Sequence, residues 1–157
     1  MSNKEILVKE LTSYDEAEQV ILEFKDNYFL RPITSDLYRT TFINKHLENG
    51  HFLAEFNDGN PVGFFSFYSN DTESKVAFIT SLALSEDLGF LKGKTLMRLV
   101  NNGIKLIRES GMEIVRLEVE RDNEKGIKLY KHFGFHFIES DKDNTYYMEM
   151  NLADYKY

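Results

Sequence analysis

The side chains able to do chemistry in this 157-residue chain fall into three groups. Asn123 and Tyr130 stand seven residues apart, which on a continuous helix puts them on one face about 10 Å apart along the axis. Such a pair can touch one extended ligand at two heights. On spacing alone, though, Tyr130 is a half-buried core aromatic beside Ile127 and Phe133, and Asn123 is a helix cap. Lys92, Lys94 and Arg98 gather at the start of a long helical pattern. An anion there would meet backbone N–H groups and the positive end of the helix dipole; the plainer reading is the solvated first turns of a surface helix. Glu73, Glu86, Glu118 and Tyr68 are available as proton acceptors, and nothing singles one out. The chain has no cysteine, so thiol nucleophiles, thiolate ligands and disulfides are all excluded. His46, His51, His132 and His136 show no ligand spacing, so they read as surface or packing residues and no metal is expected.

The elements that must position these residues can be read from periodicity. Residues 5–10 alternate weakly as a first strand, and Ser13 with Glu16 forms a capping box before a helix carrying Ala17, Val20, Ile21 and Phe24. A loop over 27–34 leads to a second helix over 35–47, with Leu37, Tyr38, Phe42 and Ile43 inward, closed by Asn49 and Gly50. Strands follow over 52–56, 62–68 and 76–84, the first two joined by the hairpin turn Asp58-Gly59. In the third, alternation puts Phe78, Leu82 and Leu84 on one face. Leu96, Leu99, Val100, Gly103, Ile104 and Ile107 then mark a strongly amphipathic helix ended by Gly111. A strand over 114–119, a short helix over 124–133 with Gly134 beyond it, and strands over 135–138 and 145–152 complete the order β-α-α-β-β-β-α-β-α-β-β. The passage from strand 76–84 through one helix to strand 114–119 predicts a right-handed parallel crossover beside an antiparallel meander. If a ligand is wedged between the C-terminal ends of that parallel pair, the two strands must splay there.

Composition sets outer bounds. With 42% hydrophobic and 29% charged residues, the chain reads as one globular domain over residues 1–157. The opening MSNKEILVKE has no apolar signal core, and no run approaches the roughly 18 apolar residues of a membrane span. A cytoplasmic protein with no membrane partner is expected. The net charge of −7 argues against nucleic acid, would draw in a cationic amine, and requires any polyanionic ligand to find a locally basic site.

The second half carries a specific register: a strand with Leu117 to Val119, Asn123 opening a short helix, Gly126, Ile127, Tyr130, then Gly134-Phe135. With the preceding amphipathic helix and the element order, this resembles the GNAT family of acyl-coenzyme A-dependent N-acyltransferases over nearly the whole chain. The resemblance implies an α/β (α+β) fold with a mixed, mostly antiparallel central sheet flanked by helices and a splayed parallel pair. It implies an N-acetyltransferase that moves an acetyl group from acetyl-coenzyme A to a primary amine of a small molecule by direct attack in a ternary complex. Tyr130 becomes the general acid for the thiolate, and Asn123 a coenzyme contact. Leu82, Ala83 and Leu84 would pair their backbone with the pantetheine arm. Gly89, Phe90, Leu91, Lys92, Gly93, Lys94 and Thr95 would form the pyrophosphate loop. A phenol near 10 giving its proton to a thiolate near 8.5 faces a gap of roughly 1.5 units, about 2 kcal/mol.

That loop departs from the family pattern Q/R-x-x-G-x-G/A: in Leu88-Gly89-Phe90-Leu91-Lys92-Gly93, Leu88 and Leu91 replace the polar residue and the middle glycine, and Gly93 remains. The expectation is a coenzyme site that is altered rather than absent, with Lys92, Lys94 and Arg98 restoring the cation. The departure also motivates an alternative, a GNAT-like domain that senses a ligand or binds a partner without catalysis. Phe64, Phe65, Phe67, Tyr68 and Phe78 pack the central strands, and one face of them could line an acceptor cleft with Tyr28, Phe29 and Tyr38. A homodimer through the C-terminal strands is compatible with the family.

Overall fold

The computed structural model describes residues 5–156. The chain enters its sheet through β1 (Ile6–Glu10) and turns into α1 (Tyr14–Leu22) at Ser13, whose Oγ accepts the Glu16 N–H at 3.2 Å. The expected loop after α1 is instead wound into a 3-10 turn (Tyr28–Leu30), capped by Asn27, and a single-turn α2 (Arg31–Thr34). The next helix, α3 (Arg39–Asn49), begins later than its apolar spacing suggests. The Arg39 N–H donates to the Ser35 carbonyl at 3.0 Å, closing 35–38 as a turn. The Arg39 guanidinium then ties that turn to α1 through Thr34 O (2.9 Å), Asp36 (2.9 Å) and Glu18 (3.2 Å). Leu37 and Tyr38, expected inward, therefore precede the helix and are exposed, while Ile43 and His46 are buried.

The meander follows as β2 (Gly50–Asn57), β3 (Asn60–Tyr68) and β4 (Val76–Leu84). Asp58 and Gly59 both take positive φ (50° and 83°), the twist a two-residue hairpin needs. After a 3-10 stretch (Glu86–Leu91) comes α4 (Lys92–Glu109), then β5 (Ile114–Glu120), α5 (Glu124–Phe133), β6 (His136–Ile138) and β7 (Thr145–Asn151). Gly111 at φ 84° ends α4 as its spacing predicts. The sheet runs β1-β2-β3-β4-β5-β7-β6, antiparallel throughout except for β4 and β5.

Each face of the sheet has its own core. Beneath α4 and α5 lie Phe65, Phe67, Ala77, Ile79, Leu99, Ile104, Val115, Leu117 and Met148; beneath α1 and α3 lie Ala17, Val20, Ile21, Ile43, Phe52, Phe64 and Ala83. Each large aliphatic side chain so buried stabilises the fold by about 2 kcal/mol. Gly103 lets α4 lie against β3, because a Cβ there would stand 2.5 Å from the Phe65 ring.

Two irregularities matter for the site. The β3–β4 register pairs Ser66 with Ser81 and Phe67 with Ile79, leaving Thr80 as an extra residue, a β-bulge. The bulge breaks the alternation read from sequence. Ala77 and Ile79 before it, and Leu82 and Leu84 after it, all pack on the α4–α5 core, and Phe78 falls out of step with them. In addition, β4 and β5 pair only from Val76 with Ile114 to Ile79 with Leu117. Past that point they diverge, as the sequence predicts for a ligand-binding parallel pair.

Candidate active site

The divergence of β4 and β5 opens a cavity of about 720 Å³. Leu82, Ala83 and Leu84 form one wall. They are bonded to β3 on one side and lie beyond the last β5 pair on the other, so among the described residues one backbone edge has no strand partner. The opposite wall is α5, with Asn123, Gly126, Leu129 and Tyr130. Phe24, Asn27, Tyr28 and Phe29 close the side under α1, and Lys92 and Lys125 border the mouths of α4 and α5.

Asn123 is both cap and wall. Its Oδ1 accepts the Gly126 N–H at 3.0 Å, so the cap engages the amide oxygen. Gly126 permits this fold-back, since a Cβ there would stand 2.6 Å from Nδ2. Tyr130 sits two turns on, its ring edge-on to Phe135 at 5.8 Å. Burial, with the Glu120 charge adding, pushes its hydroxyl up to about 12. At neutral pH it is a proton-bearing phenol. The gap to a thiol near 8.5 then becomes about 3.5 units, or roughly 5 kcal/mol, instead of the 2 kcal/mol expected from ordinary values. The raised value keeps the hydroxyl a hydrogen-bond donor at neutral pH.

The start of α4 is built differently. Its N-cap is Leu91, which offers no side-chain acceptor, and its first turn carries no carboxylate; the Lys92 N–H donates to the Gly89 carbonyl, so the capacity for an anion lies with the N–H groups after it. Gly89 adopts φ 56°, ψ −127°, a conformation open to glycine, and leaves Phe90 at 95% exposure. Two of the three side-chain cations expected to help, Lys92 and Arg98, are already engaged, and Lys94 is exposed. Lys92 Nζ lies 2.6 Å from Glu86 Oε2 and holds that carboxyl below its ordinary range. Arg98 grips the fully buried Glu55 through Nε (2.5 Å) and Nη2 (2.9 Å), and Thr95 Oγ1 donates to the same carboxylate at 2.9 Å. Arg98 therefore does not replace the lost loop cation, and the Thr95 side chain points into the protein.

A sequence model of the Acetyltransferase (GNAT) family matches residues 17–135. The chain belongs to the GNAT acetyltransferase family. The GNAT fold recurs in solved structures at low identity. A GNAT-family protein from Desulfovibrio desulfuricans superposes with a TM-score of 0.78 at 14% identity, over 94% of this chain and 99% of that one. The PaiA N-acetyltransferase of Thermoplasma acidophilum, solved with coenzyme A, gives 0.68 at 20% identity over 94% and 99%. The ribosomal-protein-S18-alanine N-acetyltransferase of Escherichia coli gives 0.71 at 16% over 94% of each chain. No curated protein matches the sequence.

Within this GNAT chain, Leu82, Ala83, Leu84, Lys92, Asn123 and Tyr130 come together on one cavity. Gly89, Phe90, Leu91, Gly93, Lys94 and Thr95 stand outside its lining. Of the acceptor aromatics, Tyr28 and Phe29 line it, whereas Tyr38 is exposed elsewhere. Of the proton acceptors, Glu86 alone borders the cavity. Glu118 accepts from Lys142 (3.0 Å) and Thr145 (2.8 Å), Tyr68 stacks on His46, and Glu73 is exposed in a turn. Sequence reasoning missed Glu23, Asp26 and Asn27, which the 3-10 turn brings to the rim. The signal was Asn27 itself, whose Oδ1 caps Phe29 N at 3.0 Å. Among the described residues no group of acidic and histidine side chains could hold a metal, and no helix is long and apolar enough to cross a membrane.

Proposed function

We propose that this GNAT chain transfers an acetyl group from acetyl-coenzyme A to a primary amine of a small molecule by direct attack in a ternary complex. One observation carries the reading: the unpartnered edge of Leu82–Leu84 faces Asn123 and Tyr130 across a cavity opened by strand divergence. The pantetheine arm would lie along that edge as an added strand, and a backbone N–H there would polarise the thioester carbonyl. The ammonium first gives one proton to water or a rim carboxylate; the neutral amine nitrogen then attacks the carbonyl carbon, the C–S bond breaks, and the second N–H proton leaves by the same route. Tyr130 donates a hydrogen bond to the departing thiolate. Lys125 and the first turn of α4, which no side chain caps, suit the phosphates; Glu23 and Asp26 on the rim suit a cationic amine.

Calorimetry with acetyl-coenzyme A should show binding. Thiol release should follow with some member of a panel of amines. Tyr130→Phe should lower kcat by roughly 10 to 100-fold while the coenzyme Kd moves less than about threefold. A chain that binds no coenzyme ends the proposal.

The engagement of Arg98 by Glu55, with Leu88 and Leu91 in the loop, favours a second reading: a GNAT fold that binds a small ligand without turning it over. That version expects ligand binding and no thiol release with any amine.

A further inference from the structure

His46 is an unusual core residue, 2% exposed on α3 and remote from the proposed chemistry. Its ring lies between Phe42, 4.1 Å away, and Tyr68, 4.4 Å away. Nδ1 is 2.8 Å from the Phe42 carbonyl, which can only accept, so Nδ1 carries a hydrogen. In the neutral ring Nε2 is then an acceptor, and it stands 2.7 Å from Thr80 Oγ1. That fixes the direction of the hydroxyls beyond it: Thr80 donates to His46, Ser66 donates to Thr80 at 2.7 Å, and Ser81 donates to Ser66. Every member of this row, buried but for the half-buried Thr80, has its partner.

Thr80 is the extra residue of the β-bulge, and Ile79 just before it makes the last pair with β5. A bulge bends its strand. The place where β4 leaves β5 is thus the place that α3 grips through one imidazole nitrogen.

We propose that His46 is a positioning residue that clamps the Thr80 bulge and so holds the Leu82–Leu84 edge in the geometry that receives the coenzyme. The inference rests on the coenzyme reading above, and it assigns a role across the sheet to a residue outside the cavity lining. A histidine that merely fills the core would be replaceable by any ring of similar shape. A clamp depends on the Nε2 acceptor and on the Thr80 hydroxyl together.

His46→Phe keeps the aromatic stack and removes the acceptor; Thr80→Val keeps the shape and removes the hydroxyl; His46→Gln keeps an acceptor at the right reach. Coenzyme A affinity by calorimetry should fall about tenfold in H46F and in T80V, with no further loss in the double variant, and recover to within about threefold in H46Q. Thiol release at saturating coenzyme should change less than KM for the coenzyme. In the coenzyme-free protein, amide exchange over residues 80–84 should rise about tenfold in H46F and T80V while β1 and β2 keep their protection. Unchanged affinity and exchange in T80V overturn the clamp even if H46F fails to fold. A wild-type chain that binds no coenzyme overturns the acetyltransferase reading, and the exchange result then decides the clamp by itself.

Discussion

The two helices that open onto the cavity meet it in opposite ways. At α5, Asn123 turns its carbonyl oxygen onto the Gly126 N–H while lining the cavity, and Tyr130 follows two turns later. Recognition there is written in side chains. At α4, no side chain caps the helix, Lys92 is held by Glu86, and Arg98 is held by Glu55. What α4 offers an anion is backbone and dipole, with Lys94 exposed beside it. If α4 serves the coenzyme as proposed, the contrast means that a loop can lose its signature residues and still offer backbone donors, because N–H groups need a conformation rather than a side chain.

The largest expected effect tests whether Arg98 belongs to the ligand or to the fold. Arg98→Met leaves the Glu55 carboxylate buried with Thr95 alone. It should cost about 3 kcal/mol, lowering Tm by roughly 10 °C, while coenzyme affinity of the folded protein stays within about threefold. Intact stability with lost affinity would return Arg98 to the coenzyme. Next is the α5 wall. Asn123→Ala should cost about 1 kcal/mol of stability and weaken the coenzyme about tenfold. Gly126→Ala should follow it in both, since the added methyl displaces the same amide; a harmless G126A in calorimetry and thermal melts would break the account of that wall.

A smaller effect is expected at the α4 loop. Leu91→Gly should tighten coenzyme A by a few-fold if a side chain now keeps the pyrophosphate from the first-turn amides. No change in Kd would mean that the backbone is already approachable.

The smallest concerns the strand between the two walls. Burial holds the His46 pKa below 6.5, with Lys45 on its own helix adding slightly and Tyr68 the titratable group facing it from β3. The neutral ring is the form that the fold favours. Its contribution is therefore complete above 6.5 and is lost as pH falls from there through the depressed folded value. Thermal melts should show a steeper loss between neutral and mildly acid pH in the wild type than in His46→Phe.

Much of the α5 wall was legible in the sequence because its determinants are local. Asn123, Gly126 and Gly134 are a cap, a clearance and a left-handed stop within one helix, and the apolar spacing of α4 is equally self-contained. What stayed hidden depends on distant partners. Nothing in the first turns of α4 announces that Arg98 will find Glu55, 43 residues earlier. The alternation of 76–84 reads as regular because the bulge is a product of Thr80 meeting β3 and α3. The late start of α3 follows from Arg39 reaching back to α1, which apolar spacing cannot register.

Gly103 ties these distances together in another way. The helix rests on the Phe65 ring with no room for a methyl group, and Gly93 lies ten residues upstream, about 15 Å along the axis. Phe65 is the fulcrum and the first-turn amides are the far end of the lever. A slight lift at the fulcrum would swing those amides relative to β4 without touching any residue of the cleft. Variation in coenzyme affinity among related sequences is therefore to be sought under the middle of α4 as well as at its tip.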